Sequence, residues 1–224
     1  MTRVTVLTTP GSLSRYCTTS EILTSAGINH KVFPAVQVSE PKAGRLRKAE
    51  VSQKVSFAGI TRKARHENAP SVLILEDDIY LPEGFDNSGL TAVLEELPED
   101  FGIALLGCYF KPGSTGKFYR YSDHILEMQR DSSKVLFTFW GSHAVLINSI
   151  IYPRIIKLLE DPSTPVTDRA LCDFIVPHHR CFLMKPPLIF QRHSSGSDHG
   201  SIHGKFKFKE MELESLEYIR KNTV

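Results

Sequence analysis

Ser71-Val-Leu-Ile-Leu-Glu-Asp-Asp-Ile79 joins a short apolar run to three consecutive carboxylates, Glu76, Asp77 and Asp78. A run of this length, ending abruptly in charge, reads as a buried strand. Burying an unpaired carboxylate is costly, so acids at the exit of a core strand are expected to face a cleft where a cation or sugar hydroxyls compensate them. In an open α/β sheet that cleft lies at the carboxyl ends of the strands, the position these acids occupy. Alternation places Glu76 and Asp78 on one side and Asp77 on the other. Mn²⁺ or Mg²⁺ takes oxygen ligands, commonly one or two carboxylates completed by water and phosphate oxygens, and Asp78 is the expected direct ligand. Asp77 is then left for ribose or sugar hydroxyls. A turn cap or surface ion pairs would also account for three adjacent acids.

The pattern on either side alternates strands and helices. Arg3 to Thr8 reads as a first strand closed by Thr9-Pro10-Gly11, and a helix beginning after Ser12 or Ser14 runs to Gly27. His30 to Val36 returns as a strand, Glu40 to Arg47 as a loop, and Lys48 to His66 as a helix interrupted by Gly59. Beyond the acids the expectations are a helix over Leu90 to Leu97, a strand over Phe101 to Cys108, and one or two strands over Val135 to Ile147 around Gly141. Ser149 to Leu159 and Asp168 to Val176 read as helices, Cys181 to Phe190 as an extended segment broken by Pro186-Pro187. His193 to Gly204, rich in Ser, Gly and His, reads as a mobile loop before an amphipathic helix over Met211 to Arg220. This order predicts an α/β fold whose single mixed sheet is flanked by helices.

At 224 residues, 41% of them hydrophobic, the chain is long enough to bury a sizeable core as one domain spanning 1–224. A net charge of +2 is too mild to demand a polyanionic partner. Nucleic acid is therefore permitted as a partner without being supported, and Lys205-Phe-Lys-Phe-Lys209 reads as a solvated lead-in rather than a phosphate or lipid contact. The absence of an apolar run of membrane-spanning length and of a signal-peptide pattern leads us to expect a soluble, cytoplasmic protein. Cys17, Cys108, Cys172 and Cys181 lack CxxC spacing and are expected to be reduced and mostly structural.

Further candidates come from residue type and place. His193, His199 and His203 lie in the late loop, and imidazole can complete a Mn²⁺ shell; His199 is preferred, although such residues also fill ordinary loops. Thr8 and Thr9 end the first strand at the cleft rim, and Arg15 after Pro10-Gly11 could meet phosphate or base oxygens there or simply be solvated. Trp140 could stack on a sugar ring, and His143 could contact acceptor or sugar; a core role suits either equally well.

Several segments together resemble family 25 glycosyltransferases, of the lipooligosaccharide and procollagen galactosyltransferase type. Leu73-Ile-Leu-Glu-Asp-Asp-Ile-Tyr80 followed by Phe85 resembles that family's acidic motif. Val4 to Arg15 is similar to its first strand and turn, Gly27-Ile28 with Phe33-Pro-Ala-Val36 to its second strand, and Gly141-Ser-His-Ala-Val-Leu-Ile-Asn148 to its G-x-H-A-Y-L-I-S segment. Pro165 to Leu171, and Pro187-Leu-Ile-Phe-Gln191 with Ser197, complete a collinear set across residues 4 to 200. Where the family carries Gly-Cys and then Ser-His before the acidic strand, this chain has Ser52-Gln53-Lys-Val-Ser56-Phe57, which leaves donor sugar and acceptor open.

The resemblance implies a single GT-A (Rossmann-like) domain with a mostly parallel central sheet, using Mn²⁺ or Mg²⁺ to transfer a sugar from a nucleotide donor, most simply a UDP-linked hexose, to a glycan or other hydroxyl acceptor. Residues 1–110 would form the nucleotide-sugar half, 111–204 the acceptor half and closing loop, and 205–224 the C-terminal helix. Thr8, Thr9, Arg15, Glu76, Asp77 and Asp78 fall to the donor, Trp140, His143 and Gln191 to the acceptor, and Asp78 and His199 to the metal. Inversion at the anomeric carbon requires a carboxylate base; Asp168 is the first choice and Asp173 the second. After Thr164-Pro165-Val166-Thr167, Asp168 could equally be capping a helix. A nucleotidyltransferase would want a Gly-rich basic loop after the first strand, and Thr8 to Arg15 offers one Gly and one Arg. An inactive sugar- or nucleic-acid-binding module, or a transferase acting on a hydroxylated base, are the remaining alternatives.

Overall fold

The computed structural model describes residues 1–9, 11–38, 48–111, 113–192 and 208–224. The β-branched run at the start forms β1 (Arg3–Thr8), and α1 (Leu13–Ser25) follows, ending where Gly27 turns the chain at φ +68°. Glycine adopts that left-handed conformation without a Cβ clash. Next come β2 (Lys31–Pro34), α2 (Lys48–His66), β3 (Ser71–Glu76), β4 (Ile79–Tyr80) and α3 (Asn87–Glu96). Asp86 caps α3 by accepting the Ser88 and Gly89 amides. The second half contains β5 (Phe101–Phe110), β6 (Phe118–Arg120), β7 (Ile125–Met128), β8 (Phe139–Asn148), a 3₁₀ turn at Ser149–Ile151, α4 (Tyr152–Glu160), α5 (Thr167–Phe174), β9 (Arg180–Met184), β10 (Phe190–Gln191) and α6 (Phe208–Asn222).

One eight-stranded sheet has the order β2-β1-β3-β8-β5-β9-β7-β6, and β4 pairs separately with β10. The pairings run β1, β2, β3, β5, β6 and β9 one way and β7 and β8 against them, giving a mixed, mostly parallel sheet. Helices cover both faces, which is why β3 and β5 are continuously apolar instead of alternating. Val72 and Ile74 of β3 join Phe57 and Ile60 of α2, Ile155 of α4 and Leu171 of α5 in one core. Leu73 and Leu75 point the other way, into a core with Leu23 of α1 and Leu90 of α3.

Two local features have packing reasons. Gly59 sits inside α2 because Phe33 of β2 presses on it; a Cβ there would lie 3.0 Å from the Phe33 ring tip. Lys54, only 3% exposed, reaches from α2 to the connection between α4 and α5, donating to the Asp161 and Thr164 carbonyls at 2.8 Å each. These bonds pin the segment that delivers α5. The four cysteines are free, with Cys108, Cys172 and Cys181 buried. Among the described residues no helix is long and apolar enough to cross a membrane.

Candidate functional site

β3 delivers its acids to a turn held from two sides. Asp77, 4% exposed, is directed back to the end of β1: Thr8 Oγ1 and the Thr9 amide donate to Oδ2 at 2.9 and 3.2 Å, and Arg15 Nη2 lies 3.3 Å from Oδ1. The opposite side is closed by β10 and the residue after it. Gln191 Nε2 donates to Asp78 Oδ2 at 2.9 Å and the Arg192 amide donates to the Asp78 carbonyl at 2.6 Å. Arg192 Nη2 reaches the Asp77 carbonyl at 2.9 Å, together with Thr19 Oγ1 and the Arg15 carbonyl. Tyr80 and Phe190 stack at 5.2 Å on this pairing. Thr8, Thr9, Arg15, Asp77, Asp78 and Gln191 thus converge, with Gln191, expected on the acceptor side, bonded to Asp78. Arg192, a single arginine with no spacing to mark it, escaped the sequence reading.

The electrostatics of the turn are unbalanced. Asp78 is 5% exposed, and among the described residues its Oδ1 has no hydrogen-bond partner. Burial pushes its pKa up, against the opposing pull of Gln191 and Arg15. Glu76 is raised well above the ordinary glutamate value by burial first, then by Asp78 and Asp168, while Gln53 Nε2 donates to its Oε1 at 2.7 Å. Gln53 lies in the very segment that departs from the family pattern. Its neighbours serve the scaffold: Ser56 Oγ accepts the Val36 amide at 2.8 Å and Ser52 Oγ donates to the Val36 carbonyl.

Across from these acids the edge of the site is shaped by a break in the β5·β8 ladder. Gly107 is opposite Ala144 and Tyr109 opposite Trp140, so Gly141 to His143 bulge out of register. Gly141 has φ +63°, and its amide donates to Asp168 Oδ2 at 3.0 Å. Asp168, in the first turn of α5, is thereby tied to the bulge and faces Glu76 closely enough to raise its pKa. Asp173 is five residues further along α5, about 140° around the helix at 100° per residue. It pairs with Arg169 at 2.7 Å. The helix does not bring the two aspartates together.

Trp140 is 41% exposed, and Lys111 Nζ sits 3.8 Å above its ring centroid. Lys111 has its pKa lowered by burial, with Asp168 opposing the shift, and makes no salt bridge to a described carboxylate. His143 is instead buried beside Tyr109, its Nε2 3.1 Å from the Ile189 carbonyl, and burial pushes its pKa down to about 4. It is neutral at pH 7 and ties the bulge to the segment leading into β10. Gly107 permits this contact, since a Cβ there would collide with both Ile189 O and His143 Nε2.

Among the described residues no group of three or more His, Cys, Asp or Glu side chains is placed to hold a metal. A Mn²⁺ or Mg²⁺ ion that draws most of its ligands from substrate phosphates and water needs only one or two carboxylates, and the unpartnered Asp78 Oδ1 suits that donor set. His193, His199 and His203 lie outside the described residues, as do Lys205 to Lys207.

No family model matches the sequence, and no curated protein matches it. Among solved structures, a glycosyltransferase involved in glycosylation of the major capsid of PBCV-1 aligns over 98% of this chain and 99% of its own, at 11% identity and a TM-score of 0.51. A197 from STIV aligns over 90% and 98% at 12% identity with a TM-score of 0.45. Apo UDP-glucose pyrophosphorylase aligns over 98% and 81% at 9% identity with a TM-score of 0.43. At 11% identity, the likeness to the capsid glycosyltransferase is one of architecture: the chain has a GT-A-like α/β fold.

Proposed function

We propose that the chain is a glycosyltransferase that moves a sugar, most simply a UDP-linked hexose, to a hydroxyl acceptor with the help of a divalent cation. The observation that carries this reading is the buried Oδ1 of Asp78 after the carboxyl end of β3, which has no hydrogen-bond partner among the described residues, beside the half-buried Glu76. A carboxylate oxygen kept from water without a donor is expensive unless a cation joins it.

Bound at Asp78 and donor phosphates, Mn²⁺ or Mg²⁺ would supply Lewis-acid neutralisation of the leaving diphosphate. The remaining work falls to the chain. Gln191 and Arg192 fix the acid turn, Asp77 holds Thr8, Thr9 and Arg15 at the rim where nucleotide phosphates or base would lie, and Glu76 is steadied by Gln53. Asp168 faces the acids from α5, oriented by the Gly141 amide, and is our candidate base. In an inverting transfer the bond from the anomeric carbon to the diphosphate oxygen breaks as the acceptor oxygen bonds to the opposite face. The acceptor proton passes to Asp168, and the diphosphate leaves with the bonding pair.

Calorimetric titration of UDP, GDP and CMP, with and without Mn²⁺, tests the proposal. Mn²⁺-dependent UDP binding that disappears in Asp78→Asn is expected. Nucleotide binding that ignores both metal and mutation would remove the basis for the reading and favour an inactive binding module.

A further inference from the structure

The acceptor side of the site contains a cation that no described carboxylate neutralises by direct pairing. Lys111 follows the last residue of β5, and its amide donates to the Thr138 carbonyl at 2.8 Å, so the residue is fixed to the strand pair at its base. Lys111 is half-buried, and its ammonium is held on the Trp140 ring at 3.8 Å by cation–π attraction. Even with one N–H directed at the ring's negative face, the ammonium has further donors for an oxyanion. Trp140, paired in register with Tyr109 just before the bulge, takes the outward side of β8, while Phe139 before it and His143 after it are buried. The same Gly141 donates to Asp168, so indole, ammonium and candidate base are joined through one peptide link.

We propose that Lys111 and Trp140 form an acceptor platform that selects a hydroxyl compound carrying an oxyanion, a carboxylate or a phosphate, beside an apolar ring face. The inference rests on the transferase reading and names its acceptor class. Asp168 and the acid turn put carboxylates on this side of the site, which would disfavour an anionic acceptor that lacked a countercharge. On the donor side Arg15 and Arg192 are already engaged with the acid turn. Arg169 beside Asp168 is paired with Asp173, and Lys111 is a cation on the Asp168 side from which a charge-assisted bond to an oxyanion would register the acceptor hydroxyl against the base. Trp140, partly exposed next to it, supplies the surface for the sugar's C–H face.

Trp140 is also the chain's one tryptophan, so its emission reports on this platform alone. The full chain, its Lys111→Met variant and its Lys111→Arg variant would be titrated with glucose, glucuronate and glucose 6-phosphate while Trp140 fluorescence is followed, and UDP binding with Mn²⁺ would be measured on each by calorimetry. Saturation by glucuronate or glucose 6-phosphate at a concentration at least tenfold below that of glucose is expected, with the preference lost in Lys111→Met and kept in Lys111→Arg. The carboxylate and phosphate arms identify which oxyanion is preferred. Equal response to all three sugars, no response to any, or an undiminished preference in Lys111→Met would overturn the proposal. Loss of UDP binding in Lys111→Met would overturn it too, by assigning the ammonium to the donor phosphates. Failure of UDP to bind the unmodified chain is read separately and counts against the transferase reading itself.

Discussion

Removing the charge of Asp78 is expected to make the metal-free protein more stable and to abolish its response to metal. The Asp78→Asn side chain keeps its shape and can still accept the Gln191 bond, but it no longer buries an anion whose Oδ1 has no donor among the described residues. Asp78 is raised by burial, so at neutral pH its ionised form opposes folding, and it also repels Glu76. The amide puts an Nδ2 donor where Oδ1 stood, so what is relieved is the buried charge, and that relief is worth about 1–3 kcal/mol. For a chain of this size each kcal/mol moves Tm by about 2–4 °C, so without metal the variant should melt roughly 2–12 °C above the unmodified protein. Adding Mn²⁺ reverses the ranking: at a thousand times Kd the unmodified protein gains about 4.1 kcal/mol and the variant little. Thermal melts followed by circular dichroism, with EDTA and then with Mn²⁺, read both effects. A metal-free Asp78→Asn that melts at or below the unmodified protein, or one that Mn²⁺ stabilises equally, would refute the reasoning.

Other expectations concern the supports of the site. Because Glu76 has a raised pKa, the folded state holds its proton over a pH range where the unfolded chain has lost it, so this contribution to stability is lost as pH rises from the ordinary glutamate range through the raised value. Glu76→Gln should flatten that slope in metal-free urea unfolding curves, and an unchanged slope would place the titration elsewhere. Lys54→Met deprives the Asp161 and Thr164 carbonyls of their donor and should cost about 1–3 kcal/mol in denaturant unfolding; unaltered stability would mean that water replaces the ammonium without loss. Gly107→Ala drives a methyl into Ile189 O and His143 Nε2, and overpacking of this kind costs about 1–3 kcal/mol. Its melting temperature should fall, and a wild-type value would show that the bulge gives way freely.

What could be read from the sequence was what is local. The apolar run before Glu76 needs only its own composition to be recognised as a strand, and α2 fills the expected Lys48–His66 because its apolar spacing and polar flanks lie within one segment. The helix-ending signal at Gly27 likewise fell at a residue with positive φ, whereas Gly141, expected only to lie among one or two strands, marks a bulge inside β8. The short strands did not announce themselves. β4 and β10 have two residues each and exist because they pair with one another, and the β6–β7 hairpin forms only three- and four-residue strands against the sheet edge. At the site, alternation correctly separated Asp77 from its neighbours, but nothing local indicated that Asp77 would hold the β1 rim or that Gln53, Arg192 and Lys111 would surround the acids. Asp168 and Asp173 look equivalent along the chain; the pitch of α5 separates them.

The clamp on the acid turn also constrains the order in which the molecule can assemble. Gln191 and Asp78 are 113 residues apart in the chain, and Arg192 and Asp77 are 115 apart. During synthesis the whole first half, including the completed β3 with Asp77 held by Thr8, Thr9 and Arg15 and Glu76 by Gln53, must wait with the Asp78 side of the turn unclamped until β10 emerges. Contacts of such long range form slowly because loop closure precedes their reward. A ribosome-bound chain stopped before Phe190 should therefore possess β1, β3 and their helices yet lack the clamp, so capacity for tight nucleotide and metal binding would arrive as a late, single event in folding.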